Sequence, residues 1–263
     1  MSEVKVAENL KVVKQNIIDA CKRAGRDPEE VTLIAVSKTK PVELIMEAYN
    51  EGIRDFGENK VQELTKKMEE MPKDINWHLI GHLQKNKVKY VAGNVTLIHS
   101  VDSYELAEEI SKQCVKREKT QDILVEINIG DEESKFGVAY DDAEELVYKI
   151  IGLPNISVKG LMCIAPIAVN YEENRKYFKK MIKKVVDINR VMVDNVNHEK
   201  SRSDFHGLTS GFSQEIRESN PSSGFPLSIL SFGMTNDYIA AVEEGSTMVR
   251  VGTGIFGERD YNK

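Results

Sequence analysis

Cysteine is scarce in this chain: three residues in 263, at positions 21, 114 and 163, with no CxxC pair among them. An odd number of widely spaced thiols excludes a disulfide framework and a cysteine-based zinc site, and it suits a reducing compartment. Cys21, Cys114 and Cys163 read as small buried hydrophobes. Long apolar runs are also missing. No stretch approaches ~18 apolar residues, so no membrane-spanning helix is expected. Positive charge is not in excess, the formal balance being −6, so the overall field gives non-specific nucleic-acid binding no support. The N-terminus carries Glu3 and Glu8 without an apolar core of its own, which argues against a signal or transit peptide. A cytoplasmic protein with no membrane and no nucleic-acid partner is the expectation.

What is present is a repeating alternation. Helical periodicity runs through Val6, Leu10, Val13, Ile17, Ala20 and Ala24, and Gly25 is placed to end that helix. VTLIAVSKTKP at 31–41 then gives a nearly unbroken apolar run, a lysine, and a proline that opens a helical pattern. Such a run reads as a strand buried on both faces of a parallel sheet. Strand-like runs recur at IRDFGEN, 76–81, 96–102, 122–130, 158–166, 227–234 and 247–254, with helical patterns between them. Ser103 is placed to cap the helix after the fourth of these. Eight strands alternating with helices imply an α/β fold, a (β/α)8 TIM barrel, and the length suits one domain of about 250 residues. An open doubly wound sheet competes, but no GxGxxG follows the first strand. Residues 193–226, rich in Ser, Asn, Gly and charge, break the rhythm after a helix expected over about 172–190, and read as a mobile insertion within the single domain 1–263.

In a barrel, cooperating groups come from the C-terminal ends of different strands. Those ends offer Lys38, Asn59, His82, Ser100, Asn128, Met162, Ser231 and the segment 250–253. Lys38 is either a partly desolvated amine able to form a Schiff base or a surface lysine snorkelling at a strand end. VRVGTGIFG at 249–257 brings Gly252 and Gly254 backbone donors and the Thr253 hydroxyl together, the phosphate site that barrels tend to build after their last strands. Ser231, Gly233 and Thr235 add donors from the neighbouring strand. Arg250 shares a face with Gly252 and would point into the mouth, where it needs an acceptor: a ring nitrogen of a planar cofactor, or an acid such as Glu126 or Glu58. HLIGH at 78–82 lacks the glutamate of a zinc protease helix, so His78 reads as a core or barrel-wall histidine and no metal site is expected. The basic stretch 83–90 reads as a solvated helix face.

AVSKTKP at 35–41, FGENKVQEL at 56–64, WHLIGHLQKNKVKY at 77–90, VEINIGDEESKFGV at 125–138, GLMCIAP at 160–166 and LSFGMTNDYIAAVEEGSTMVRVGTGIFGER over the C-terminal part, in that order, resemble the pyridoxal phosphate homeostasis proteins, which look like the barrel domain of alanine racemase standing alone. The resemblance implies PLP fold type III without a C-terminal β-domain, and pyridoxal 5′-phosphate (PLP) as cofactor. It makes Lys38 the Schiff-base lysine, gives the phosphate to Ser231, Gly252 and Thr253, and sets Arg250 against the pyridine nitrogen with Asn59, Met162 and Met234 around the pocket. Phe232 and Thr235 stand where Met and Ser are commoner. The implied function is intracellular PLP homeostasis, a carrier or reservoir without strong turnover, serving PLP-dependent apoenzymes as a monomer; a PLP-dependent amino-acid racemase is the alternative.

Overall fold

The computed structural model describes residues 4–167, 170–201 and 227–258. Each apolar run becomes a strand and each amphipathic run a helix. In chain order they are α1 (Val6–Ala24), β1 (Thr32–Val36), α2 (Val42–Asn50), β2 (Asp55–Glu58), α3 (Val61–Glu70), β3 (Asn76–Leu79), α4 (Val88–Val91), β4 (Leu97–Val101) and α5 (Tyr104–Lys116). There follow β5 (Gln121–Asn128), β6 (Val138–Ala139), α6 (Ala143–Ile151), β7 (Ile156–Cys163), α7 (Arg175–Ser201), β8 (Ile229–Met234), α8 (Tyr238–Glu243), β9 (Met248–Val251) and α9 (Thr253–Phe256).

The strand order is β4-β3-β2-β1-β9-β8-β7-β5, and a β4–β5 pairing closes the ring. The expected eight-stranded parallel barrel is therefore present. The two-residue β6 adds to the end of β5 through Ile127↔Val138 and Asn128↔Ala139. Alternation along the strands sorts the side chains. Ala35, Phe56, Leu79, Ile98, Val125, Phe232 and Val249 pack outward with the helices, while Leu97, Leu124 and Met162 form a separate small cluster inside the ring.

Helix α1 buries Val6, Leu10, Val13, Ile17, Ala20 and Cys21 against α2, α8 and α9. Asn9 Nδ2 donates to Ile255 O at 2.9 Å, and Asn16 Nδ2 to the Tyr238 hydroxyl at 2.8 Å. The stripe ends at Cys21, and Ala24 lies exposed in the last turn, after which Gly25 adopts φ 67° and Arg26 N–H closes on Cys21 O at 2.9 Å, a left-handed C-terminal cap.

Two local expectations are corrected. Ser103 sits at the N-cap of α5, but its hydroxyl turns to Asp102 Oδ1 at 3.3 Å and caps nothing. Helix α7 runs to Ser201, so the first part of the expected insertion 193–226 continues a helix; its remainder, 202–226, lies outside the described residues.

Candidate functional site

The loop after β1 carries Lys38, half-buried, between two residues that α3 holds in place. Lys67 Nζ donates to Ser37 O and to Glu58 Oε1, both at 2.8 Å, and to Glu63 Oε1 at 2.6 Å. Ser37 Oγ donates to Glu58 Oε1 at 2.6 Å, and Thr39 N–H donates to Glu63 Oε1, also at 2.6 Å. Thr39 lies at φ 62°, a conformation that a β-branched residue adopts only when its surroundings impose it. Burial raises the pKa of the Glu58 carboxyl, and the Lys67 ammonium opposes that shift. The backbone on either side of Lys38 is thus tied to one buried ionic cluster.

Strand β8, two places from β1 in the ring, supplies a second wall. Gly233 has φ +92°, and a Cβ there would meet Ala241 Cβ at 2.4 Å; only glycine makes this bend. The register against β9 shifts between Ser231 and Met234. Asp237 fixes the turn, accepting from Met234 N–H at 2.6 Å and from Asn174 Nδ2 at 2.7 Å. Beyond it, Thr235 Oγ1 accepts from the backbone N–H groups of Gly252 and Gly254, each at 3.3 Å. Its own O–H remains a donor. A Cβ on Gly254 would lie 3.0 Å from Val251 Cγ1 and 3.2 Å from Thr235 Cγ2, so the cup closes tightly only around glycine.

Arg250 stands between these walls, 4% exposed. Its Nη1 donates to Ser231 O (2.7 Å) and Ser231 Oγ (2.5 Å), and its Nη2 to Cys163 O (2.9 Å). These bonds use only part of the guanidinium's fork of donors. Glu126 is buried nearby. Burial, reinforced by Asp102 and opposed by Arg250, raises its pKa to about 7.

Lys38, Asn59, Met234, Arg250, Gly252 and Thr253 line one cavity of about 610 Å³, together with Asn174, Thr235 and Asp237. That volume suits a small ligand, for which pockets run roughly 300–1,000 Å³. Two of the expected site residues lie elsewhere. Ser231 is fully buried behind Arg250, one layer too deep to line the cavity, and Met162 packs inside the ring with Leu97 and Leu124. The hydroxyl at the cup is that of Thr235, which the sequence reading named as a donor only. Asn174, whose buried Oδ1 has no partner, carried no signal in the sequence. A second hollow, on the outer face beside Arg23 and Glu243, is crossed by the Arg23–Glu243 and Arg175–Glu243 ion pairs, which leave it no unmatched charge to offer a ligand.

The family model for the alanine racemase N-terminal domain matches residues 9–260. The pyridoxal phosphate homeostasis protein of Aquifex aeolicus is 42% identical over 255 residues, 97% of this chain and 98% of its own. This chain belongs to the pyridoxal phosphate homeostasis family. That of Escherichia coli K12 is 35% identical, with 98% of both chains covered. Among solved structures, PipY of Synechococcus elongatus without PLP is 30% identical with a TM-score of 0.74, covering 96% of this chain and 100% of its own; the PLP-bound form gives 0.68. Alanine racemase from Clostridium difficile shares the fold alone, at 15% identity and a TM-score of 0.63, with 97% of this chain matching 58% of that one.

Proposed function

We propose that this chain binds pyridoxal 5′-phosphate and serves its intracellular homeostasis, holding the cofactor in the barrel mouth and releasing it to PLP-dependent apoenzymes. The observation that carries this reading is one cavity lined together by Lys38, Arg250, Gly252, Thr253 and Thr235. The residues fit the group. Lys38 supplies an amine at the wall formed by the β1 end. On the neighbouring β9 end, the hydroxyls of Thr235 and Thr253 suit a phosphate, Thr235 being oriented by the Gly252 and Gly254 N–H groups that donate to its oxygen. Arg250, between them, keeps N–H donors for a ring nitrogen and cannot give up a proton to it. Asn59 and Met234 fill the remaining sides.

When bound, PLP supplies a reactive aldehyde and a ring able to draw off electrons. Lys38 would hold that aldehyde through its amine, the carbonyl oxygen leaving as water, and so keep it from stray amines. Arg250 would offer its remaining N–H donors to the ring nitrogen and has no proton to give up to it, which would restrain carbanion chemistry and favour storage over turnover. Buried thiols at Cys21, Cys114 and Cys163 suit the reducing cytoplasm.

The test is spectroscopic. Purified protein incubated with PLP should show an absorption band near the visible edge, and borohydride should fix the cofactor to the peptide carrying Lys38. Lys38→Ala should lose both. A colourless wild-type protein, or label on another lysine, overturns the reading.

A further inference from the structure

Behind Arg250 the barrel interior is crossed by a line of polar side chains, where such barrels usually carry layers of branched aliphatic residues. Arg250 Nη1 lies 2.5 Å from Ser231 Oγ, and Ser231 Oγ lies 2.9 Å from His99 Nδ1. His99 Nε2 is 3.0 Å from His78 Nδ1, and His78 Nε2 is 3.0 Å from Asp55 Oδ1. Arg250, Ser231, His99 and His78 are buried. Asp55 opens β2 at the end of the barrel opposite the cavity, with its side chain 26% exposed. The line therefore runs the depth of the barrel.

The two ends set the direction of the line, because a guanidinium only donates and a carboxylate only accepts. Ser231 Oγ accepts from Arg250, and with the Asp55 carboxylate drawing the imidazole protons to the far end, its own proton goes to His99 Nδ1. A neutral imidazole that accepts at Nδ1 carries its proton on Nε2. His99 thus donates to His78 Nδ1, and His78 donates from Nε2 to the Asp55 carboxylate. Burial above all, then the neighbouring His78 and Arg250, hold His99 well below the usual imidazole range, which keeps it neutral. The reverse direction would aim a proton from His99 Nδ1 at the oxygen already taking the N–H of Arg250. It would also leave a buried imidazolium at His78 close behind the arginine.

We propose that Ser231, His99, His78 and Asp55 form a positioning chain for Arg250, a one-way line that fixes the guanidinium at the cavity and ends its charge on a carboxylate at the far end of the barrel. What the arginine is held for rests on the PLP reading above. Each link donates away from the cavity, so the chain cannot deliver a proton upward to a ring nitrogen; that nitrogen meets only the donors that Arg250 has left.

Histidine side-chain ¹⁵N spectra of the cofactor-free protein at neutral pH test the chain without PLP. Both His78 and His99 should be neutral with the proton on Nε2. A proton on His99 Nδ1, or an imidazolium there, overturns the proposal. In the PLP-loaded protein, Asp55→Asn, remote from the cavity, should shift the absorption maximum and weaken PLP binding several-fold, while Asp55→Glu restores both. An Asp55→Asn protein with unchanged band and affinity also overturns it. If wild-type protein takes up no PLP, the functional reading fails, and the ¹⁵N result still decides the chain.

Discussion

Glu126 is buried, 5% exposed, and its pKa is raised to about 7 from an ordinary 4.5, chiefly by burial. A carboxyl whose folded-state pKa lies above its unfolded value favours the fold while protonated. That contribution is complete below pH 4.5 and is lost as pH rises to about 7. Glu126→Gln keeps the shape without the charge. It should match the parent in urea denaturation near pH 4 and exceed it at pH 8 by about 1–3 kcal/mol. Equal stability at both pH values would count against this account. The same scale shows where sequence reading stops. That Lys38 and Arg250 reach the cavity was legible because each sits at a fixed phase of an apolar run. Ser231 was misplaced because Gly233 bends β8 at φ +92° and lets the strand run on to Met234, leaving Ser231 a layer deeper than simple alternation suggests. His78 read correctly as a wall histidine. Its bonds to His99 and Asp55 join positions 21 and 23 residues away through the barrel interior, and no local pattern announces that.

At the scale of elements, α3 contributes more than a packing face. Lys67, 5% exposed, neutralises Glu58 and Glu63 and holds the carbonyl before Lys38. Lys67→Met would strand two carboxylates, one of them fully buried, at a cost of about 3–5 kcal/mol, and would free the Lys38 loop. Denaturant melts should show that loss, with the Glu58→Gln/Lys67→Met double variant recovering part of it as expected for coupled neighbours. Equal losses in the single and double variants would show that the cluster does not act as a unit. Helix and strand identities were readable from periodicity, since a period of two or 3.6 is a local property. The end of α7 was not, because the polar stretch after Arg190 lacks the glycine or proline that would mark a stop.

For the molecule as a whole, the parallel register joins β1 to β9 at Thr32↔Met248, Leu33↔Val249, Ile34↔Arg250 and Ala35↔Val251. This seam unites the first and last described strands. Lys38 follows one of them, and Arg250 and the glycine cup belong to the other. A ligand gripping both sides acts as a rivet across the seam. Bound PLP should therefore slow amide hydrogen exchange in β1 and β9 more than in β4 and β5, and uniform protection would sink that expectation. The eight-stranded ring was legible as a whole because alternating strands and helices admit few topologies.

Among the described elements helix α1 comes first in the chain, yet most of its buried stripe rests on α8 and α9, the last two helices described. Until the ribosome has delivered that far end, Val6, Leu10, Val13 and Ile17 have only α2 to cover part of their stripe. The nascent protein must carry an adhesive helix through most of its translation, so trigger-type chaperones should engage this stretch, and removing the helix should leave α8 and α9 unsupported behind the glycine cup.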